Sequence, residues 1–356
     1  MDRHVPQLDG LRAIAVLMVL LTHFWGYRVS PEILDRFAAA GWIGVDLFFV
    51  LSGFLITSIL WDSRDSPRYF VNFYARRTLR IFPIYFLVLA FVFIAMPIAA
   101  RLPDTVARDA WMYWLYLGNF ALAAGGWQLF VLDITWSLCI EEQFYLLWPA
   151  LVRRLTLRNM VVFCTAIIVV TPLVRLALWS PDRWMWLQMM TPLRADSFAV
   201  GALLAVLLRN GVRVPARTVM ALSAPLLAGL VALGEFKRGS MLVCTVGFSL
   251  TSIVSGAAVV LAMNSRFLAF KPLVHIGKVS YGVYLYHPIV FMFMSSLFAA
   301  GGLAANSMPL MLFQLVILAA ATVGAASLSY AILERPLLRL KRFFPSGALG
   351  VTRTSA

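Results

Sequence analysis

Residues 279–333 read VSYGVYLYHPIVFMFMSSLFAAGGLAANSMPLMLFQLVILAAATVGAASLSYAIL, with no Lys, Arg, Asp or Glu. A helix crosses a bilayer core of about 30 Å with about 20 apolar residues, so this stretch is too long for one crossing. Gly301-Gly302, Asn306 and Pro309 break it into two helices. A second uncharged run, 239–265, holds another. The same criterion, carried outward, places apolar spans near 9–27, 42–60, 81–99, 137–152, 160–178, 193–208, 218–234, 241–262, 280–299 and 309–332.

The bulk composition agrees. Apolar residues make up 62% of the 356 and charged residues 13%, against about 45–50% and about 25% in an average soluble domain. Mean hydropathy is +0.85. These values exclude an ordinary soluble domain, a disordered chain, collagen and a coiled coil. An outer-membrane barrel needs alternating strands and a polar lumen, which the long apolar runs do not provide. The expected fold class is therefore all-α, a polytopic transmembrane helical bundle of about ten spans. Cys139, Cys164 and Cys244 all lie in apolar segments without ligand spacing, so no disulfide framework and no metal is expected. The start, Met1-Asp-Arg-His, lacks the form of a cleavable signal.

The net charge of +14 is read as loop bias rather than nucleic-acid binding, because basic loops mark the cytoplasmic side. Residues 111–124 decide the topology. They are apolar and aromatic but short for a crossing. If they do not cross, one side collects Arg3, Arg64, Arg68, Arg76, Arg77, Arg80, Arg153, Arg154, Arg158 and the later basic loops through Arg353. The other side keeps Arg28, Arg36, Arg101, Arg108, Arg183, Lys237 and Arg238. If they did cross, every later loop would change sides and the bias would be lost. The segment is therefore expected to be re-entrant or interfacial on the outer face, with both termini cytoplasmic.

Ionisable groups inside spans are costly and mark candidate sites. Arg12 and His23 lie eleven residues apart on the first span, which returns to one helix face and separates them by roughly 16 Å. Asp46 opens the second span at about the depth of His23, where a carboxylate can fix an imidazole tautomer. Arg77 and Arg80, three apart, share a helix face and suit a phosphate-bearing cosubstrate. Glu141 and Glu142 stand together at the outer end of the Trp136–Tyr145 segment. Arg194 and Asp196 open the sixth span; Tyr286 and His287 lie in the inner half of the ninth; Glu334 closes the last. Each has a plainer reading as an anchor, helix end or packing group. Together they outline a polar passage. Its inner set is Arg12, Arg77, Arg80, Tyr286, His287 and Glu334; its outer set is His23, Asp46, Glu141, Glu142, Arg194 and Asp196.

These segments resemble the acyltransferase-3 family of integral-membrane O-acyltransferases. The resemblance rests on six pieces in order. They are Arg12 with His23, GVDLFFVLSGF at 44–54, RTLR at 77–80, WSLCIEEQFY at 136–145, SYGVYLYHP at 280–288 and ERP at 334–336. Cys139 departs from the pattern, where a small polar residue is commoner. The resemblance implies transfer of an acyl group from cytosolic acyl-CoA, usually acetyl-CoA, to a hydroxyl of an extracytoplasmic carbohydrate or glycolipid, at a bacterial inner membrane. In that reading His23 is a general base or transient acyl carrier, oriented by Asp46 or Glu141. Arg12 stabilises the thioester carbonyl or a CoA phosphate, and Arg77 and Arg80 hold the nucleotide end. Tyr286 and His287 line the inner passage, and Trp136, Glu142, Arg194 and Asp196 meet the acceptor. Residues 1–336 would form the membrane domain and 337–356 a short basic cytoplasmic tail, without the hydrolase-like domain some relatives carry. The alternative is a proton-coupled transporter of a small anionic or sugar substrate, since buried His, Asp, Glu and Arg also build proton relays.

Overall fold

The computed structural model describes residues 5–26, 29–99, 101–303 and 306–345. Arg3, Arg28, Arg353 and the end of the expected tail lie outside them. The described chain is helical, with no strand among these residues.

Ten principal helices fall where the apolar runs predict them. They are α1 (Pro6–Phe24), α2 (Ile43–Ser63), α3 (Tyr69–Ala90), α4 (Trp136–Arg154), α5 (Leu157–Leu178), α6 (Ala195–Arg209), α7 (Ala216–Ala232), α8 (Phe248–Ala262), α9 (Ser280–Ala300) and α10 (Met308–Ser329). Local signals set several ends. Pro6 starts α1, where a fixed φ helps and no donor is lost. Thr156 caps α5 by accepting from Asn159 N at 3.3 Å. Among the described residues, eight helical stretches are long and apolar enough to cross a bilayer. Of the ten helices, α4 and α7 fall outside that set: α4 carries Glu141, Glu142, Arg153 and Arg154, and α7 has only 17 residues. Leu146, Leu147, Val169, Val170, Leu173, Leu222 and Leu226 are exposed on the outside of the bundle, as a lipid-facing surface requires.

Residues 111–124 do not form one helix. Ala110–Trp114 and Gly118–Gly125 are short helices joined around Tyr116, which takes a left-handed φ of 56°. Trp111 and Leu115 point outward, whereas Tyr113, Tyr116, Asn119 and Leu122 are buried. Asn119 Nδ2 donates to Met189 O at 2.9 Å, and Gln143 Nε2 donates to Tyr116 O and Asn119 Oδ1 at 2.9 and 3.0 Å. Neither piece is long enough to cross. The following chain continues inward: Val131, Leu132, Ile134 and Thr135 are buried before α4 begins.

The tightest seam joins α2 to α6. A Cβ on Gly53 would lie 2.1 Å from Phe198 O, and one on Gly201 would lie 2.0 Å from Val50 O. Only glycine allows these backbones to touch. Two buried ion pairs lie beside this seam. Asp46 of α2 pairs with Arg194, just before α6, and accepts from Thr251 of α8. Arg175 of α5 pairs with Asp196 of α6 at 2.8 Å and reaches Thr245 O and Ser249 Oγ. All four charged side chains are almost fully buried.

Gly201→Ala should lower the thermal unfolding midpoint in detergent, because its Cβ meets backbone; overpacking of this kind costs about 1–3 kcal/mol. Gly229→Ala on α7, where a Cβ meets nothing within 4 Å, should leave the midpoint unchanged or raise it. Equal behaviour of the two variants would contradict the assigned seam.

Candidate functional site

Three cavities follow one another through the bundle and share lining residues. The first, about 140 Å³, is formed by α2, α3 and the C-terminal segment, with Tyr69, Asn72, Arg76, Arg77, Arg80 and Lys341 in its wall. The central one, about 90 Å³, shares Arg77 and Arg80 with it and adds Arg12, Ser52, Ser137, Glu141, Glu142, Tyr145, Ser280, Tyr281 and Tyr284. The third, about 200 Å³, shares Val45 and Tyr284 with the central cavity and is lined by His23, Asp46, Trp127, Phe130, Asp133, Trp136, Gln188 and Arg238. Tyr284 stands between the last two. Its hydroxyl bonds Ser137 Oγ at 2.7 Å and Ile134 O at 2.8 Å.

The central cavity sets Arg12, Arg77 and Arg80 opposite Glu141 and Glu142, with no salt bridge between the two groups among the described residues. Arg12 binds Asp9 at 2.9 Å. Tyr145 donates to Glu141 Oε2 at 2.8 Å, and Ser52 Oγ lies 2.9 Å from the same hydroxyl. The Arg77 guanidinium lies over the Tyr145 ring at 5.5 Å. Glu142 Oε1 is buried without a partner among the described residues. Fixed polar groups around an open space suit a polar ligand better than a packed core.

In the third cavity, His23 Nδ1 lies 2.9 Å from His287 Nε2, and His287 Nδ1 lies 2.6 Å from Tyr284 O. The two rings stack at 4.9 Å, with Phe130 edge-on to both. The cause lies in the next residue. Pro288 sits inside α9 and has no N–H, so Tyr284 O, four residues back, loses its helical donor. His287 takes that place. A carbonyl only accepts, so Nδ1 of His287 donates; with both rings neutral, its Nε2 accepts from Nδ1–H of His23. The relay leaves the His23 Nε2 lone pair as the free acceptor.

The structure regroups the residues expected from sequence. His287 belongs with His23, not with Arg77 and Arg80: seven residues of helix carry it about 10 Å beyond Ser280 of the central cavity. Glu141 and Glu142 join Arg12, Arg77 and Arg80 instead of His23, because α4 starts inside the bundle and its sixth residue is already past the level of His23. Asp46 lines the third cavity, but both its oxygens are taken, by Arg194 and Thr251. His287 therefore orients His23. Arg194 and Asp196 lie in the buried ion pairs with Asp46 and Arg175, outside the lining of the three cavities. Tyr286 turns away to Ser329 Oγ at 2.8 Å. Trp136, which the resemblance assigns to the acceptor, lines the third cavity. Glu334 is buried, and its Oε1 has no partner among the described residues. Sequence reading passed over Gln188, Trp127 and Lys341. Pro288 is a signal in the sequence that could have found the His287 contact, because a proline within a helix frees a carbonyl four residues earlier.

A family model described as an acyltransferase domain matches residues 5–330. O-acetyltransferase OatA of Staphylococcus aureus (strain NCTC 8325 / PS 47) is 28% identical, over 94% of this chain and 57% of the relative. Peptidoglycan O-acetyltransferase OatA of Listeria monocytogenes serovar 1/2a is 31% identical, over 81% of this chain and 50% of its own length. Putative peptidoglycan O-acetyltransferase YrhL of Bacillus subtilis (strain 168) is 28% identical, over 94% and 55%. The chain spans little more than half the length of these relatives. No solved structure matches it. The match over nearly all of the helical bundle, together with the six motifs in order, shows that the chain belongs to the acyltransferase-3 family.

Proposed function

We propose that the protein is an integral-membrane O-acetyltransferase that moves an acetyl group from cytosolic acyl-CoA to a hydroxyl of an extracytoplasmic cell-wall carbohydrate. The observation that carries this reading is the file of three cavities, strongly basic at one end and holding an oriented imidazole at the other. The acetyl group and the carbohydrate acceptor are taken from the printed names of the relatives. Donor and sidedness rest on the basic cavity and the loop charge. The assigned place is a bacterial cytoplasmic membrane, with the Arg-rich end facing the cytosol.

In this reading Arg77 and Arg80 hold the phosphates of the donor, as guanidinium forks do. The pantetheine arm runs through the central cavity past Tyr284 and brings the thioester to His23. Arg12 lies roughly 16 Å from His23 along α1, too far to touch the same carbonyl, so its role is on the donor. His23 Nε2 takes the proton of the acceptor hydroxyl, whose oxygen attacks the thioester carbon. The tetrahedral intermediate collapses, the CoA thiolate leaves, and the proton on His23 passes to it. Trp127, Trp136, Gln188 and Asp133 offer the stacking faces and hydrogen-bonding groups that a sugar ring takes up at the third cavity.

Three outcomes test this. Acetyl-CoA and CoA, but not ATP, should stabilise the detergent-purified protein by about 2.7 kcal/mol at 100 times Kd, and Arg77→Ala/Arg80→Ala should remove the shift. Proton-coupled flux without any response to CoA would favour the transporter instead. His23→Ala should lower acetyl transfer by about 10²–10⁴-fold, the usual worth of a general base, with CoA stabilisation unchanged. Wild-type turnover in that variant would remove His23 from the chemistry. Pro288→Ala should restore an N–H to Tyr284 O and displace His287 from it. The expected result is a loss of turnover of up to about 10²-fold from a misplaced base, with thermal stability kept; unchanged turnover would exclude the relay.

A further inference from the structure

The basic cavity has a wall that the family match does not reach. The match ends at residue 330. The chain continues from α10 through a π-helical turn, Tyr330–Glu334, and Arg335–Leu338 to a 3-10 turn, Arg339–Phe343. This C-terminal strap folds back onto α3. Asn72 Nδ2 donates to Pro345 O at 2.9 Å. Arg76 Nη1 donates to Phe344 O at 3.0 Å and to Lys341 O at 3.4 Å. The bonds go to main-chain carbonyls, so they fix the path of the strap whatever its side chains are. That path sets Lys341 in the wall of the cavity that holds Arg76, Arg77 and Arg80.

Four basic side chains thus meet in one cavity. Arg76 spends its donors on neutral carbonyls, which leave its charge unmatched. Arg77, Arg80 and Lys341 close no salt bridge or side-chain hydrogen bond among the described residues. Glu141 and Glu142 are in electrostatic range of Arg77, and Glu334 of Arg80, yet none of them pairs with any of the four. Like charges gathered in a low-dielectric cleft repel one another and raise the local concentration of anions. Such a cluster calls for a ligand with several negative charges.

We infer that Lys341 is a donor-binding residue, and that the strap over residues 339–345 completes the phosphate site with Arg77 and Arg80. This rests on the reading of the donor as acyl-CoA. The chemistry recognised is a phosphate group. The arginine forks fix its orientation, and the ammonium adds a compact charge with three donors. An anionic lipid headgroup carries the same chemistry and is the other source to be tested.

The test is thermal unfolding of the full chain in neutral detergent, titrated separately with CoA, pantetheine and short-chain phosphatidylglycerol. Wild type should be stabilised by CoA and not by pantetheine, which lacks the phosphates. Lys341→Met should weaken CoA about tenfold, equivalent to 1.4 kcal/mol, and flatten its salt dependence, with the unliganded midpoint kept; Lys341→Arg should recover most of the affinity. Equal CoA affinity in wild type and Lys341→Met would overturn this inference alone. Absence of any CoA response in wild type would overturn the donor reading and this inference with it. A Lys341-dependent response to phosphatidylglycerol without one to CoA would assign the site to lipid and overturn it as well. A readout without any variant is labelling of the Lys341 amine in wild type by an N-hydroxysuccinimide ester. CoA should suppress it severalfold, and unchanged labelling would overturn the inference.

Discussion

A charge inside a bundle surrounded by hydrocarbon has no water to fall back on, so it must be matched within the protein. Asp46 with Arg194, and Arg175 with Asp196, meet that demand in a way that ties four elements together: α2, α5, α6 and α8. Taking one partner away would leave the other buried and unmatched, which is why such pairs hold arrangements in register more than they add net stability. The glycine seam between α2 and α6 brings the backbones close enough for the pairs to form. With that half of the molecule closed, the other face of α2 lines the polar passage together with α1, α3, α4 and α9. The rigid block and the open passage are two sides of one division, and Asp46 stands at the boundary, ion-paired on one side and lining the third cavity on the other.

Along the passage, local departures from regular helix recur where polar groups are needed. Pro288 removes one backbone bond and thereby supplies the carbonyl that orients His287 and, through it, His23. The left-handed Tyr116 breaks an aromatic segment that would otherwise continue, and turns Asn119 inward to Gln143 and Met189 O. The buried approach to α4 lets that helix start within the bundle. Each departure costs some regular hydrogen bonding and is held in place by tertiary contacts.

The helices were largely legible before any coordinates, because ten apolar runs stand out against charged loops and the bilayer sets their length. The same reading set residues 111–124 apart as too short to cross; the break at Tyr116 appears only in the structure. The Arg77–Arg80 face was legible too, since two residues three apart on a helix must share a side. The pairings between helices were not. Its place in the helix alone puts Glu141 at the outer end, and the direction of the ninth span alone puts His287 in the inner half. Both positions depend on where in the bundle a helix begins, which hydropathy does not record. Lys341 was invisible for a similar reason: its place beside Arg77 is set by main-chain bonds from Asn72 and Arg76, and those have no side-chain signature in the strap.

By itself, then, the sequence determined the environment and the local geometry. Apolar runs require spans, glycines permit close seams, a proline frees a carbonyl, and charges in spans mark groups that must find partners. The tertiary structure decided who those partners are. It gave Asp46 to Arg194 instead of His23, gave His23 to His287, and turned Tyr286 outward to Ser329. The physical reason is that periodicity specifies which face of a helix a residue occupies. The depth, rotation and neighbours of that face emerge only when all the helices pack at once and every buried charge has to be satisfied together.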